Sequence, residues 1–135
     1  MSGTVSISVI GGDLRQKILA EFLEKDGFSV KTAGFDMEES DSEYDISDLA
    51  KSDVVILPLP VSYDNTSVNT PFGKDTIYIK DILENMPKES VLLGGRISEY
   101  LQGEMDSYGI NYSDYFMREE LMVQNAIPTV SAVRI

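Results

Sequence analysis

The run Val5-Ser6-Ile7-Ser8-Val9-Ile10 stops at Gly11-Gly12, and a helical pattern begins at once with Asp13-Leu14-Arg15-Gln16. This reads as strand, tight turn, helix. β-branched residues at 5, 7, 9 and 10 suit a parallel strand buried on both faces, and the glycines let the backbone reverse where a side chain would obstruct it. In an open α/β sheet the crevice at the carboxyl end of such a strand is where ligands bind, facing the first N–H groups of the next helix. A binding site is therefore expected beside Gly12, with Asp13, Arg15 and Gln16 as a charged, hydrogen-bonding rim. Arg15 suits a carboxylate, because a guanidinium binds both oxygens at once. The plainer role for Asp13 is the N-cap of the following helix.

The turn is not a dinucleotide fingerprint. Setting G-x-G-x-x-G on Gly11 puts Asp13 and Gln16 where the second and third glycines belong. Asp13 would also bring a carboxylate to the place a pyrophosphate must approach.

At 135 residues the chain has the size of one domain with a single sheet. A net charge of −12 with 11 basic residues leaves no cluster to seat a phosphate backbone, so nucleic acid is not an expected partner. There is no cysteine and no histidine, which removes thiol catalysis and the commonest general base and metal ligand. No metal site is expected. Nor does any stretch reach the roughly 18 apolar residues of a membrane span, and the N-terminus lacks a targeting pattern. The expectation is a cytoplasmic protein.

Leu14, Ile18, Leu19, Phe22 and Leu23 recur at helical spacing up to Gly27, and residues 28–33 alternate as a second strand. Asp36 stands where a Rossmann domain keeps its ribose-binding acid, but without the glycine fingerprint it reads as the start of an acidic loop over 36–48. That loop lacks the spacing of a calcium-binding hand. Asp45 or Ser47 is placed to cap a short helix through Leu49 and Ala50. Val54-Val55-Ile56-Leu57-Pro58 is a third strand, and residues 63–73 form a long polar loop that reads either as a lid over the crevice or as an exposed connector. A helix over about 74–86 comes next. Ser90-Val91-Leu92-Leu93-Gly94-Gly95-Arg96 then repeats the opening grammar of strand, glycine pair and arginine. If the two strands are neighbours, Arg15 and Arg96 emerge at one edge as a pair for a ligand with two carboxylates; either could instead pair with the acidic surface. A helix with Ile97, Tyr100, Leu101 and Met105 leads to a fifth strand near 109–112. Asp114 then caps a segment over 115–129 whose aromatic and methionine positions read as core, with Glu119 or Glu120 a general base if desolvated. Residues 128–135 begin another helix after Pro128, which is expected to be the start of an interdomain linker in a longer chain.

The fold expected is α/β: a three-layer α-β-α, flavodoxin-like or Rossmann-like doubly wound parallel sheet of about five strands. Taken together, Val9-Ile10-Gly11-Gly12-Asp13-x-Arg15-Gln16, the Gly34-Phe35-Asp36 turn, Ile56-Leu57-Pro58 and Asn125-Ala126-Ile127-Pro128-Thr129 resemble the N-terminal domain of the dipicolinate synthase A-subunit family, over essentially the whole chain and in order. The resemblance implies the substrate-side domain of a two-domain oxidoreductase. Such an enzyme oxidises a dihydro- or tetrahydrodipicolinate intermediate to dipicolinic acid during sporulation, with NADP held by a separate C-terminal domain, in the cytoplasm of the mother cell. The B subunit of dipicolinate synthase, a flavoprotein-like second subunit, is the implied partner, and a homo-oligomer is open. Carried over residue by residue, Gly12, Asp13, Arg15 and Gln16 match the family's first turn, and Asn125, Pro128 and Thr129 match the motif leading to the linker. Arg96 comes from the second glycine turn alone. No proton-transferring residue is identified, and the catalytic residues are unknown. The competing reading is a non-catalytic α/β module serving subunit assembly. A receiver-like signalling domain is disfavoured, because Gly11-Gly12-Asp13 and Leu57-Pro58 stand where its acidic pair and phosphorylated aspartate belong.

Overall fold

In the computed structural model, residues 5–34, 46–71, 73 and 76–116 are described. The elements run β1 (Ser6–Ile10), α1 (Leu14–Lys25), β2 (Ser29–Ala33), a short 3-10 helix (Ile46–Lys51), β3 (Val54–Ile56), α2 (Ile79–Asn85), β4 (Val91–Gly94), α3 (Glu99–Ser107) and β5 (Asn111–Asp114). All four strand pairings are parallel, and the order is β2-β1-β3-β4-β5. This is the doubly wound order with its reversal between β1 and β3.

Strand alternation divides the core into two layers. Ile7, Val9 and Ile56 point to α1, where Ala20, Leu19 and Leu23 cover them. Ile10, Val55, Leu57 and Leu92 point the other way, into the larger layer with Ile82 and Leu83 of α2 and Leu101 and Met105 of α3. Leu57, Ile82 and Leu92 are completely buried, so truncating any of them to alanine costs about 2–5 kcal/mol. Ser8 also faces this second layer, where a hydroxyl needs a partner; it finds the Ser52 hydroxyl at 2.6 Å.

Helix boundaries follow their caps. The Asp13 carboxylate accepts the N–H of Arg15, and Gly27, at φ 101°, ends the α1 exit in a conformation that a side chain would strain. Ser98 caps α3 by accepting the N–H of Leu101. The helix expected over 74–86 is shorter, beginning at Ile79. Tyr78 is bridged antiparallel to Ser67, and the Val68 and Ile79 N–H groups bond Ile77 and Thr66 carbonyls, which holds the preceding residues extended. The last strand lies two residues later than expected and runs into Asp114. That residue does cap the segment after it, its Oδ1 accepting the N–H of Phe116 at 3.0 Å. Ser47 falls inside the 3-10 helix rather than before it. Most of the acidic loop, the cap at Asp45, and everything from 117 onward lie outside the described residues, among them Glu119, Glu120, Asn125, Pro128, Thr129 and the 128–135 helix.

Candidate functional site

The reversal of strand order opens a crevice above the carboxyl ends of β1 and β3, and a cavity of about 660 Å³ occupies it. Its floor and walls come from the β1–α1 turn (Gly12, Asp13), from α1 (Arg15, Gln16, Leu19), from the ends of β3 and β4 (Ile56, Pro58, Leu59, Leu93), from the loop beyond β3 (Tyr63, Asn69, Pro71) and from Tyr115 after β5. Apolar surface dominates. The polar groups are few and come mainly from the first turn of α1, the composition usual for a small-molecule site.

The glycine turn is tied into the structure on both sides. Gly11 donates its N–H to the Ala33 carbonyl and Gly12 donates to the Asn69 carbonyl, each at 2.8 Å. Gly12 lies at φ 91°, and a Cβ there would stand 2.4 Å from Gln16 Cγ and 2.9 Å from Pro58 Cβ. Only glycine fits. The turn therefore shapes the cavity without lending its Gly12 N–H to a ligand, and the Arg15 and Gln16 N–H groups are likewise taken, by the Asp13 carboxylate and carbonyl.

Asp13 and Arg15 form a pair across the rim. The guanidinium donates from Nε to both Asp13 oxygens at 3.2 Å and from one terminal nitrogen at 3.0 Å. One edge of the fork is thus already engaged. The pairing holds the Asp13 carboxyl below its ordinary range and raises the Arg15 guanidinium above its own, each chiefly through that side-chain hydrogen bond. With 78% of its side chain exposed, Arg15 remains available to an incoming carboxylate that competes with Asp13. Gln16, expected on the rim, lies beneath it at 9% exposure, and its amide nitrogen is buried with no hydrogen-bond partner.

Arg96 is not among the cavity-lining residues, and the two arginines do not converge there. The reason is topological: β3 separates β1 from β4, so the two glycine turns are not neighbours. In the second turn the left-handed conformation also falls on Arg96 itself, at φ 57°, rather than on a glycine. Asp114 accepts the Arg96 and Ile97 N–H groups, and the guanidinium lies 4.6 Å over the Phe116 ring.

Tyr115 joins the site although its segment reads as core in the sequence. Its hydroxyl donates to the Leu57 carbonyl at 3.1 Å and bridges the ends of β5 and β3. Burial, with Asp114 second, pushes its pKa up, so it stays a neutral donor. The signal available in the sequence was its place, an aromatic one residue past a strand at the carboxyl edge. The loop beyond β3 is held at Val68 and Asn69. Asn69 donates its N–H to the Val61 carbonyl at 2.8 Å and its side-chain amide to the Pro60 carbonyl at 3.2 Å, and Val68 is buried. Leu59-Pro60 is a cis peptide.

The residues do not fit a dinucleotide. Gly12's N–H is spent on Asn69, and the Asp13 carboxylate and Gln16 side chain fill the ground a pyrophosphate needs. Among the described residues there is no group of three or more His, Cys, Asp or Glu side chains that could hold a metal ion, and no helix is long and apolar enough to cross a membrane.

Comparison with known proteins agrees with this architecture. The profile of the dipicolinate synthase A-subunit N-terminal domain family matches residues 6–116. The dipicolinate synthase A subunit of Bacillus subtilis (strain 168) is 26% identical over 133 residues, covering 93% of this chain and 45% of that protein. The crystal structure of the dipicolinate synthase A chain from Bacillus subtilis superposes with a TM-score of 0.76 at 25% identity, over 97% of this chain and 46% of that one. The crystal structure of the A subunit from Bacillus halodurans gives 0.74 at 24% identity, over 94% and 47%. The chain thus spans less than half the length of these relatives.

Proposed function

The chain belongs to the dipicolinate synthase A-subunit N-terminal domain family, and we propose that it is the substrate-side domain of a dipicolinate synthase, binding the pyridine-type dicarboxylate in the crevice between β1 and β3. The observation that carries this reading is a largely apolar cavity, at the site where doubly wound folds bind ligands, with Arg15 at its mouth and the Gln16 amide beneath. A flat heterocycle suits the walls of Ile56, Leu93, Pro58 and Tyr115, and a carboxylate suits a guanidinium. The reaction served is oxidation of a dihydro- or tetrahydrodipicolinate to dipicolinate, with NADP as electron acceptor. The misfit between the glycine turn and a pyrophosphate supports a separate cofactor domain for NADP. The B subunit of dipicolinate synthase is the proposed protein partner, and the mother-cell cytoplasm the proposed location.

A second reading, a non-catalytic module for subunit assembly, is favoured by Leu14, Ile18 and Phe22. These are 48, 50 and 61% exposed along one side of α1. The thermal midpoint of the chain with excess dipicolinate, against NADP, separates the two. Ligand at about a hundred times its dissociation constant adds roughly 2.7 kcal/mol, a shift of several degrees. On the substrate reading dipicolinate raises the midpoint, NADP does not, and Arg15→Ala reduces the shift. No shift with dipicolinate would overturn that reading and leave the module.

A further inference from the structure

Gln16 is the polar group the site has not yet used. Its side chain is more than nine-tenths buried, its Nε2 has no hydrogen-bond partner, and it belongs to the wall of the cavity. A buried amide donor left unpaired is destabilising, and a position in the first turn of a helix has no need of one. Leucine or methionine would pack against Ala20 and the sheet with equal helix propensity and no such penalty. The surroundings nonetheless hold the amide in place. Gly12 lacks a Cβ where one would collide with Gln16 Cγ, and Pro58 closes the other side at a distance that excludes a larger residue at position 12.

Building on the substrate reading, we infer that Gln16 is the specificity-determining residue for the second carboxylate of the ligand. One carboxylate sits at the mouth on Arg15, and the other goes inward, where Gln16 Nε2 donates to it after a rotation about the terminal amide torsion, which is soft. The chemistry favours a neutral donor at that depth. A cation buried there would carry a large desolvation cost, whereas an amide recognises an anionic oxygen without one, and the amino end of α1 adds its positive potential. Gln16 then separates dicarboxylates from monocarboxylates of the same ring. An isostere lacking the inner acceptor leaves the amide unpaired and is rejected on that account.

The test uses two probes, pyridine-2,6-dicarboxylate and pyridine-2-carboxylate, titrated calorimetrically into the wild-type chain and into Gln16→Met and Arg15→Ala. Wild type is expected to bind the dicarboxylate at least ten-fold more tightly. Gln16→Met, which keeps length and helix propensity, is expected to bring the two affinities within about two-fold while its thermal midpoint without ligand stays level or rises. Arg15→Ala is expected to weaken both probes and keep their ratio. A Gln16→Met protein that retains the wild-type ratio overturns the inference and leaves the substrate reading standing. A fall in its midpoint with no change in either affinity does the same, by making Gln16 structural. Should Gln16→Met not fold, Gln16→Leu decides on the same ratio, since it removes both N–H donors and adds no charge. If wild type binds neither probe, the substrate reading and this inference fall together.

Discussion

Replacing Asp13 by asparagine separates the two tasks this residue performs. Its Oδ1 caps α1 by accepting the Arg15 N–H at 2.9 Å, and its charge holds the Arg15 guanidinium. Asparagine caps about as well as aspartate, so the hydrogen bond survives. What disappears is a negative charge at the positive end of a helix, worth about 0.3–1 kcal/mol at an exposed site. The exposed pair with Arg15 adds little, since solvent screens it. For a domain of this size, roughly 1 kcal/mol moves the thermal midpoint by about 3–4 °C, so a fall of about 1–4 °C is expected. Binding should change in the opposite sense. A ligand carboxylate on Arg15 would stand about 5 Å from the Asp13 charge, a repulsion of about 1 kcal/mol in a nearly aqueous environment. Removing it, and freeing the engaged edge of the guanidinium, should tighten dipicolinate binding by about five-fold. Differential scanning fluorimetry and titration calorimetry at pH 7 read the two effects. Because the Asp13 carboxyl is held below its ordinary range, its stabilisation is full above about pH 4. It is lost as pH falls through the lowered value, so the midpoint gap should close in acid. Weaker dipicolinate binding by Asp13→Asn would refute the reasoning, because it would make Asp13 a ligand contact rather than a competitor.

Gly12→Ala should destabilise the fold by about 1–3 kcal/mol, since the new methyl meets Gln16 and Pro58 at a positive φ; urea unfolding would show a lower midpoint, and an unchanged one would mean the turn can relax. Tyr115→Phe removes the hydroxyl that bonds the Leu57 carbonyl, at a cost of about 1 kcal/mol visible in the same assay. Asp64, which accepts the Thr66 and Ser67 N–H groups, has its pKa lowered to about 2, so its contribution is present above about pH 3.8 and is lost as pH falls through about 2. The difference in thermal midpoint between wild type and Asp64→Asn should therefore vanish toward pH 2, and a constant difference would mean that the charge contributes nothing.

The sheet was legible because its determinants are local. β-branched runs ending at glycine or proline give β1 and β3, and helical spacing with a glycine stop gives α1. The resemblance carried jointly by the four motifs was borne out by the family match over residues 6–116. The site was legible only where it shares the turn's own residues. Gly12, Asp13, Arg15 and Gln16 do line one cavity, yet the depth of Gln16 and the engagement of the Gly12 N–H depend on Pro58 and Asn69, more than forty positions away in the chain. No periodicity reports such contacts. Pairing Arg15 with Arg96 failed for the same reason, since strand order is a property of the whole sheet. Tyr115 was misassigned because an aromatic that walls a cavity and one that fills a core have the same local signature.

Asn69 bonds Gly12, Val61 and Pro60 at once. Surface loops ordinarily vary in length among relatives at little cost. This one has lost that latitude: a residue inserted or deleted between 61 and 69 would unhook the glycine turn from across the sheet. The connection would have to evolve in step with residue 12.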